Sequence, residues 1–115
     1  MSTALPDVFA DVDLSPAMAP EGRDSGSWRR VIWTDEGDKG AIVAVWKAEP
    51  GVYPYPARQI EETFVVLEGE ARCKVGDGET TTISLGSIVR VPYNTPIHLE
   101  VTKPFRKVAT VIPKA

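Results

Sequence analysis

The sequence predicts an all-β protein, a single domain in which short antiparallel strands close into a barrel. Between Glu62 and Val101, apolar runs rich in Val, Ile, Thr and Phe alternate with glycine turns at regular spacing, which is typical of a closed antiparallel meander. Prolines and glycines interrupt every candidate helix within a turn. A chain of 115 residues is long enough for one core and not for two.

The strands are expected to be short, as is usual for such a meander. Residues 52–59 hold two prolines, which cannot donate to a strand ladder, so this segment is predicted to be an edge strand or a rim loop. The segments 67–70 and 102–105 are interpreted as turns. The pattern gives roughly eight or nine strands of about 5–6 residues. The predicted strands are 27–34, 41–48, 60–68, 71–75, 80–85, 88–91, 97–101 and 106–112.

The first part of the chain, residues 1–27, has neither a helical nor a strand period. It is rich in Pro, Asp, Ser and Ala, yet it contains more apolar residues than a solvated tail needs: Leu5, Val8, Phe9, Val12 and Leu14. We therefore predict an extended N-terminal arm, residues 1–27, that lies along the barrel or along a partner subunit, with a disordered terminus as the alternative. The barrel domain is predicted to be residues 28–115.

Charge and composition exclude several classes of partner. The formal net charge of −3 disfavours nucleic acid, because phosphate binding needs a clustered positive field. No apolar run approaches the roughly 20 residues of a membrane helix, and the first residues lack the basic and apolar regions of a secretion signal. The single cysteine, Cys73, leaves no internal disulfide. Together these features predict a cytoplasmic protein that binds neither nucleic acid nor membrane.

The spacing of several glycines, prolines and one glutamate resembles the cupin superfamily (RmlC-like). The family's first motif contains a Gly, two His, and then a Glu followed after six residues by a Gly; here Gly51, Glu62 and Gly69 match that frame. In the second motif, Gly86 and Pro92 match. The segments EETFVVLEGEA, GSIVRVPYNTP and PFRKV are similar to a small single-domain branch, mostly of unknown function, that includes ethanolamine-utilisation Q-type and ureidoglycine-aminohydrolase-like cupins. The resemblance implies a cupin jelly-roll β-barrel.

The departures from these motifs concern the metal. Many cupins hold a divalent metal with three His and one Glu, whereas this chain has one histidine, His98. The first two His positions fall within 55–59, which reads YPARQ, and Ile97 stands at the third. The resemblance therefore implies a degenerate metal site, and we predict no metal ligands and no cofactor. Strand alternation points Ile97, Leu99 and Val101 inward and His98 outward, although a one-residue bulge would reverse this.

A glutamate on an apolar strand face suggests a different kind of site, unless it lies half solvated at the edge of the pocket. Glu62 shares a strand face with Phe64 and Val66, and an isolated charge there would be unfavourable, so it needs a cation, a hydrogen-bond donor or a raised pKa. Arg58 is the candidate partner in sequence, unless the two form only a surface pair. We predict a small cleft for a polar or carboxylated molecule. Its predicted ligand-binding residues are Trp46, Tyr53, Tyr55, Arg58 and Tyr93.

Two further residues have simpler interpretations. Trp46 is a candidate stacking wall, although a tryptophan on such a strand is more often part of the core. Cys73 shares parity with Ala71 and Val75, so it is expected to be a buried, small apolar residue and not a nucleophile.

Three hypotheses about function remain open at this stage. The first is a cupin that binds a small polar or carboxylated metabolite without metal. The second is a metabolic enzyme on small nitrogenous compounds, similar to the ureidoglycine and ethanolamine-utilisation members, with Glu62 as the catalytic acid or base. The third is a structural or assembly protein. Strands that are apolar on both faces predict a homodimer under any of the three.

Overall fold

The computed structural model describes residues 7–17, 26–34 and 40–114. All of the regular structure in these ranges is β, which confirms the predicted all-β class. Because the described chain contains no helix, none of it could cross a membrane in helical form. The strands are β1 (Ser15–Pro16), β2 (Ser27–Thr34), β3 (Ile42–Ala48), β4 (Gly51–Tyr55), β5 (Ile60–Val75), β6 (Thr81–Ser84), β7 (Ile88–Val91) and β8 (Ile97–Pro113).

Two long strands, β5 and β8, run through both parts of the barrel wall and connect them. They pair antiparallel with each other from Ile60↔Pro113 to Val75↔Ile97. The part of this pair near Ile60 and Pro113 extends into the first half-sheet, which has the strand order β2-β3-β8-β5-β7. The part near Val75 and Ile97 extends into the second half-sheet, which has the order β4-β8-β5-β6. The core lies between the two half-sheets and draws on both, from Phe64 and Phe105 to Tyr53 and Leu99.

The predicted turns at 67–70 and 102–105 are wrong, because β5 and β8 each continue through these segments. The chain bends here and does not reverse. Gly69 has a positive φ of 88°, and a Cβ at this position would lie 2.0 Å from the carbonyl oxygen of Pro104. The register of β5 against β8 shifts around this glycine, which is how a bulge turns a strand from one sheet into the next.

Alternation along the strands sets which side chains face the core. On β8, Ile97, Leu99 and Val101 are buried whereas His98 is exposed, which confirms the outward orientation predicted for this histidine. Cys73 is a buried free cysteine, also as predicted. The proline-containing segment forms the edge strand β4, which pairs only with β8 among the described strands.

The first described residues of the N-terminal segment, 7–11, lie on the outer face of their own barrel, whereas Ser15–Pro16 pair with β2 at the edge of the sheet and Ala17 packs against the core. Asp11 forms ion pairs with Lys47 of β3 and Arg106 of β8. Arg106 also donates to the carbonyl oxygen of Val8 at 3.1 Å, and Arg30 of β2 donates to that of Asp7 at 3.0 Å. The sequence also predicts a flexible loop at 22–27 and a turn at 35–40, and both segments lie almost entirely outside the described residues. The predicted boundary between arm and barrel stays a prediction.

Candidate ligand-binding site

A cavity of about 290 Å³ opens at one end of the first half-sheet. Strand alternation directs side chains from β2, β3, β5 and β8 into it, and the segment that follows β4 closes one side. Its charged residues are three cations and one carboxylate, while the remaining lining is mostly small and aliphatic. The lining residues are Ala17, Arg29, Ala44, Trp46, Tyr55, Arg58, Ile60, Glu62, Lys107, Ala109 and Val111.

A buried ion-pair cluster forms one wall of the cavity. The Nζ of Lys107 donates to Oε2 of Glu62 at 2.8 Å, and Nη2 of Arg58 donates to Oε1 at 2.9 Å. The side chains of Glu62 and Lys107 are only 5% and 7% exposed, whereas that of Arg58 is 34% exposed. Each carboxylate oxygen therefore has its own cationic donor, and the cluster reaches solvent through Arg58.

Aromatic rings complete the surroundings of the Lys107 ammonium. It lies 4.0 Å from the ring centroid of Phe64 and 5.2 Å from that of Trp46. Both rings offer a negative face to the cation. Lys107 therefore covers part of the Trp46 ring, which was predicted to stack against a ligand.

The pKa of Glu62 reflects two opposing effects. Burial penalises the charged form and would raise the pKa, but the attraction and hydrogen bond of Lys107, followed by those of Arg58, outweigh it. The pKa is lowered from its ordinary value, so Glu62 is ionised at neutral pH. Such a carboxylate is a strong hydrogen-bond acceptor and a weak base.

Four of the predicted site residues meet at this cavity, namely Trp46, Tyr55, Arg58 and Glu62. Tyr53 lies deeper on β4 and is fully buried, and its hydroxyl donates to the carbonyl oxygen of Glu49 at 2.8 Å. It packs edge-to-face against Trp46 with ring centroids 5.2 Å apart.

The two remaining aromatic assignments differ in their surroundings. Tyr93, in the loop after β7, is 42% exposed and does not line the cavity. Trp46 belongs to both the core cluster and the cavity wall. Its buried Nε1 has no hydrogen-bond partner among residues 7–17, 26–34 and 40–114.

Two charged residues of the cavity were not identified from the sequence, Lys107 and Arg29. A signal for Lys107 was present, because it alternates with Phe105, Ala109 and Val111 and so occupies an inward position of an otherwise apolar strand. Arg29 lies directly opposite Trp46 in the β2–β3 pair. That register cannot be derived from the sequence alone, since the connection between the strands does not fix it.

The residues present do not fit the three-His, one-Glu metal site that the cupin resemblance implies. Both oxygens of Glu62 already accept from cationic nitrogens, and a metal ion would have to displace them. The buried side chain of Ile97 offers no donor. Within the described part of the chain, no three His, Cys, Asp or Glu residues cluster in a way that could hold a metal ion.

Comparison with known proteins identifies the fold. The model of the EutQ-like cupin domain matches residues 35–109. A comparison with curated proteins gave no match. Among solved structures, the chain is similar to ethanolamine utilization protein Q of Salmonella typhimurium LT2, with 18% identity over 77% of this chain and 71% of that chain and a TM-score of 0.65.

Two other solved structures extend the likeness over most of the chain. KdgF from Halomonas sp. is 14% identical over 95% of this chain and 96% of that chain, with a TM-score of 0.68. The polyketide cyclase RemF from Streptomyces resistomycificus is 22% identical over 91% of this chain and 75% of that chain, with a TM-score of 0.70. These likenesses show the fold alone, and they confirm the predicted single-domain cupin jelly roll and the resemblance to Q-type members.

Proposed function

The chain belongs to the EutQ-like cupin domain family, and we propose that its cavity binds a small carboxylated metabolite. The observation that carries the proposal is the charge of the lining. Arg29, Arg58 and Lys107 face a single carboxylate, Glu62, in a protein whose overall formal charge is −3. A local excess of cations inside a barrel of opposite net charge favours an anion there.

The donors available to such an anion are the two arginines. One N–H of Arg58 is used by Glu62, which leaves others of its five for a ligand. Arg29 is exposed, and its guanidinium has no hydrogen-bond or ion-pair partner among residues 7–17, 26–34 and 40–114. Guanidinium groups match carboxylates in bidentate geometry. The aliphatic wall formed by Ile60 and Val111 suits the hydrocarbon part of the ligand.

The size of the cavity limits the ligand to a small metabolite. A volume of about 290 Å³ is at the lower end for ligand pockets, which span about 300–1,000 Å³. An open cavity lined by cations also favours binding over a purely structural role, for which a filled barrel would be the better solution.

A catalytic role for Glu62 stays a prediction. An ionised carboxylate held by two cations is a weak base, and it becomes a proton acceptor only if a ligand takes Arg58 or Lys107 away from it. We therefore put binding before turnover. We further propose that the cupin metal site is degenerate here, with Lys107 supplying the positive charge beside Glu62, and that the protein acts in the cytoplasm, where a free thiol such as Cys73 stays reduced.

The test is isothermal titration of the protein with propionate, succinate and glutarate, with the corresponding amides as neutral ligands. We expect heat from at least one carboxylate and none from its amide. Arg29→Gln should weaken binding about tenfold, since a charge-assisted hydrogen bond contributes about 1.5–3 kcal/mol and exposure reduces this. Arg72→Gln is the matched control, because Arg72 is an exposed strand arginine outside the cavity lining. Equal binding of acids and amides, or equal effects of the two variants, would contradict the proposal.

A further inference from the structure

The described part of the N-terminal arm connects the outer face of the barrel with the cavity. We call residues 7–17 the strap. Its outer end, residues 7–11, lies on the outer face of the first half-sheet, whereas Ser15–Pro16 pair with β2 and Ala17 lines the cavity. The strap therefore crosses the edge of the sheet between its two ends. Asp13, within this crossing, has a positive φ of 55°, a conformation typical of turns.

The outer end of the strap is anchored by a buried guanidinium. The side chain of Arg106 is 4% exposed, and its two carboxylate partners are Asp11 of the strap and Glu68 of β5. Arg106 also donates to the carbonyl oxygen of Val8 at 3.1 Å, and the Nζ of Lys47 donates to Asp11 at 2.9 Å. A buried cation needs such partners, and the strap supplies one of the two carboxylates.

Apolar burial adds to this anchor. Val45 faces outward, because its neighbour Trp46 faces the core, yet Val45 is only 1% exposed. Arg30 is paired directly with Val45 across β2 and β3, and it donates to the carbonyl oxygen of Asp7 at 3.0 Å. The outer end of the strap therefore lies over an apolar side chain and is held by several cationic donors.

The inner end of the strap is held less firmly. Strand β1 has only two residues, and one of them is Pro16, which has no N–H to donate. The amide of Ala17 donates to the carbonyl oxygen of Ser27 at 2.9 Å. Sparse packing of this kind is typical of segments that open locally. A second cavity, of about 460 Å³, lies between this end and β2, lined by Asp13, Ser15, Pro16, Ala17, Arg29 and Val31.

We propose that the strap is a movable wall of the ligand site and that Asp11 is the latch that keeps it closed. The proposal rests on the proposed function, because the wall acts on a ligand held at Arg29. Ala17 and Arg29 line both cavities, and Ser15 is paired directly with Arg29. A closed strap confines a carboxylate bound there, and an open strap exposes it to solvent. Asp11 positions the wall from the outer face without touching the ligand.

The ligand and the latch then stabilise the same closed form. A ligand that binds the closed form more tightly shifts the strap toward closure, and closure raises the affinity for the ligand by the same factor. Loss of the Asp11 carboxylate favours the open form, although this residue lies across the sheet from the cavity. The outer face of the barrel thereby regulates a site inside it.

The first test compares two variants without ligand. Asp11→Ala removes the strap's carboxylate from Arg106 and Glu68→Ala removes the barrel's, and the two carboxylates are similarly exposed, at 52% and 49%. Hydrogen exchange of the Ala17 amide reports opening of the inner end, since this amide donates to Ser27. We expect exchange about five- to tenfold faster than in wild type for Asp11→Ala, which loses two ion pairs, and no change for Glu68→Ala. Equal rates in the two variants would overturn the latch.

The second test adds succinate, whose binding is measured by isothermal titration. At about ten times its dissociation constant, succinate should slow exchange of the Ala17 amide by up to about tenfold. It should not affect the Gly76 amide, which donates to the carbonyl oxygen of Pro96 after the end of β5. Succinate that binds without slowing exchange at Ala17, or that slows both amides equally, would overturn the coupling. If no carboxylate binds, the proposed function fails and the coupling with it, whereas the first test still decides the latch.

Discussion

Replacing Lys107 with Met tests the ion-pair cluster most severely. The change removes a buried ammonium that is 2.8 Å from Oε2 of Glu62 and 4.0 Å from the Phe64 ring centroid, while keeping a long apolar side chain in its place. Removal of one partner from a buried pair typically costs about 3–5 kcal/mol, because the remaining charge stays buried without compensation. Since Arg58 still pairs with Glu62, we expect the lower end, about 3 kcal/mol.

A double-mutant cycle separates this cost from the loss of packing. Glu62→Gln alone leaves Lys107 with no carboxylate partner among the described residues, whereas the double variant has neither buried charge. We expect the double variant to be at least about 2 kcal/mol more stable than the sum of the two single losses implies, as is typical of residues in direct contact. Free energies of unfolding come from urea titrations, in which stability changes shift the midpoint and leave the slope unchanged.

The control is Lys103→Met, because Lys103 is 68% exposed and 4.0 Å from Glu70. Exposed pairs contribute about 0–1 kcal/mol, so this variant should unfold nearly like wild type. The reasoning is refuted if Lys107→Met costs no more than Lys103→Met, or if the two single losses add up in the double variant.

Four further predictions follow from particular contacts. The pKa of Glu62 is lowered because its two cations outweigh burial. Its contribution to stability is therefore present above the ordinary glutamate pKa of about 4.3 and is lost as pH falls through the lower folded pKa. Urea titrations between pH 7 and 3 should show a shallower pH dependence of the unfolding free energy for Glu62→Gln than for wild type, and identical profiles would contradict this. Gly69→Ala should lose more than about 3 kcal/mol of unfolding free energy, because a clash with the Pro104 backbone adds to backbone strain. Gly86→Ala is the control and should lose only about 1 kcal/mol, because Gly86 has a similar φ of 90° but nothing within 4 Å of an added Cβ. Equal losses in the two variants would rule out the clash. Burial raises the pKa of the Cys73 thiol, so a thiol reagent at pH 8 should label it only after unfolding, and rapid labelling of the native protein would be the contrary result. Elemental analysis of protein purified without a metal-binding tag, then dialysed against mixed divalent ions, should find no stoichiometric transition metal, since Glu62 is already paired; a stoichiometric ion would show that ligands are recruited beside it.

The local pattern of the sequence was enough to predict the fold class and most strand positions. It was not enough to recognise that β5 and β8 are continuous. Gly69 and Pro104 are residue types typical of turns, yet they lie opposite each other in the β5–β8 pair. The register of the pair shifts there, but both strands continue through. Whether such a glycine reverses the chain or bends it depends on which strand pairs with the residues that follow, and pairing is not a local property.

The candidate site could be predicted in part for a related reason. Alternation indicates which face a side chain occupies but not its depth along the barrel. Tyr53 and Tyr55 share a face of β4, yet the first is fully buried in the core and only the second lines the cavity. The pair of Glu62 and Arg58 could be predicted because the two residues are four positions apart in the sequence. Lys107, the closer partner, is 45 residues from Glu62 and needed the β5–β8 register.

Binding of a carboxylate in the cavity is the central claim, and a nuclear magnetic resonance titration tests it most directly. Succinate and succinamide would each be added to ¹⁵N-labelled protein up to about 10 mM, a concentration that detects millimolar affinity. We predict that succinate shifts the resonances of cavity residues, including the Trp46 indole and the Arg29 and Arg58 side chains, while leaving the exposed Trp33 indole and Arg72 unchanged. Succinamide should shift none of them. Equal shifts with acid and amide, or succinate shifts that avoid the cavity, would contradict the account.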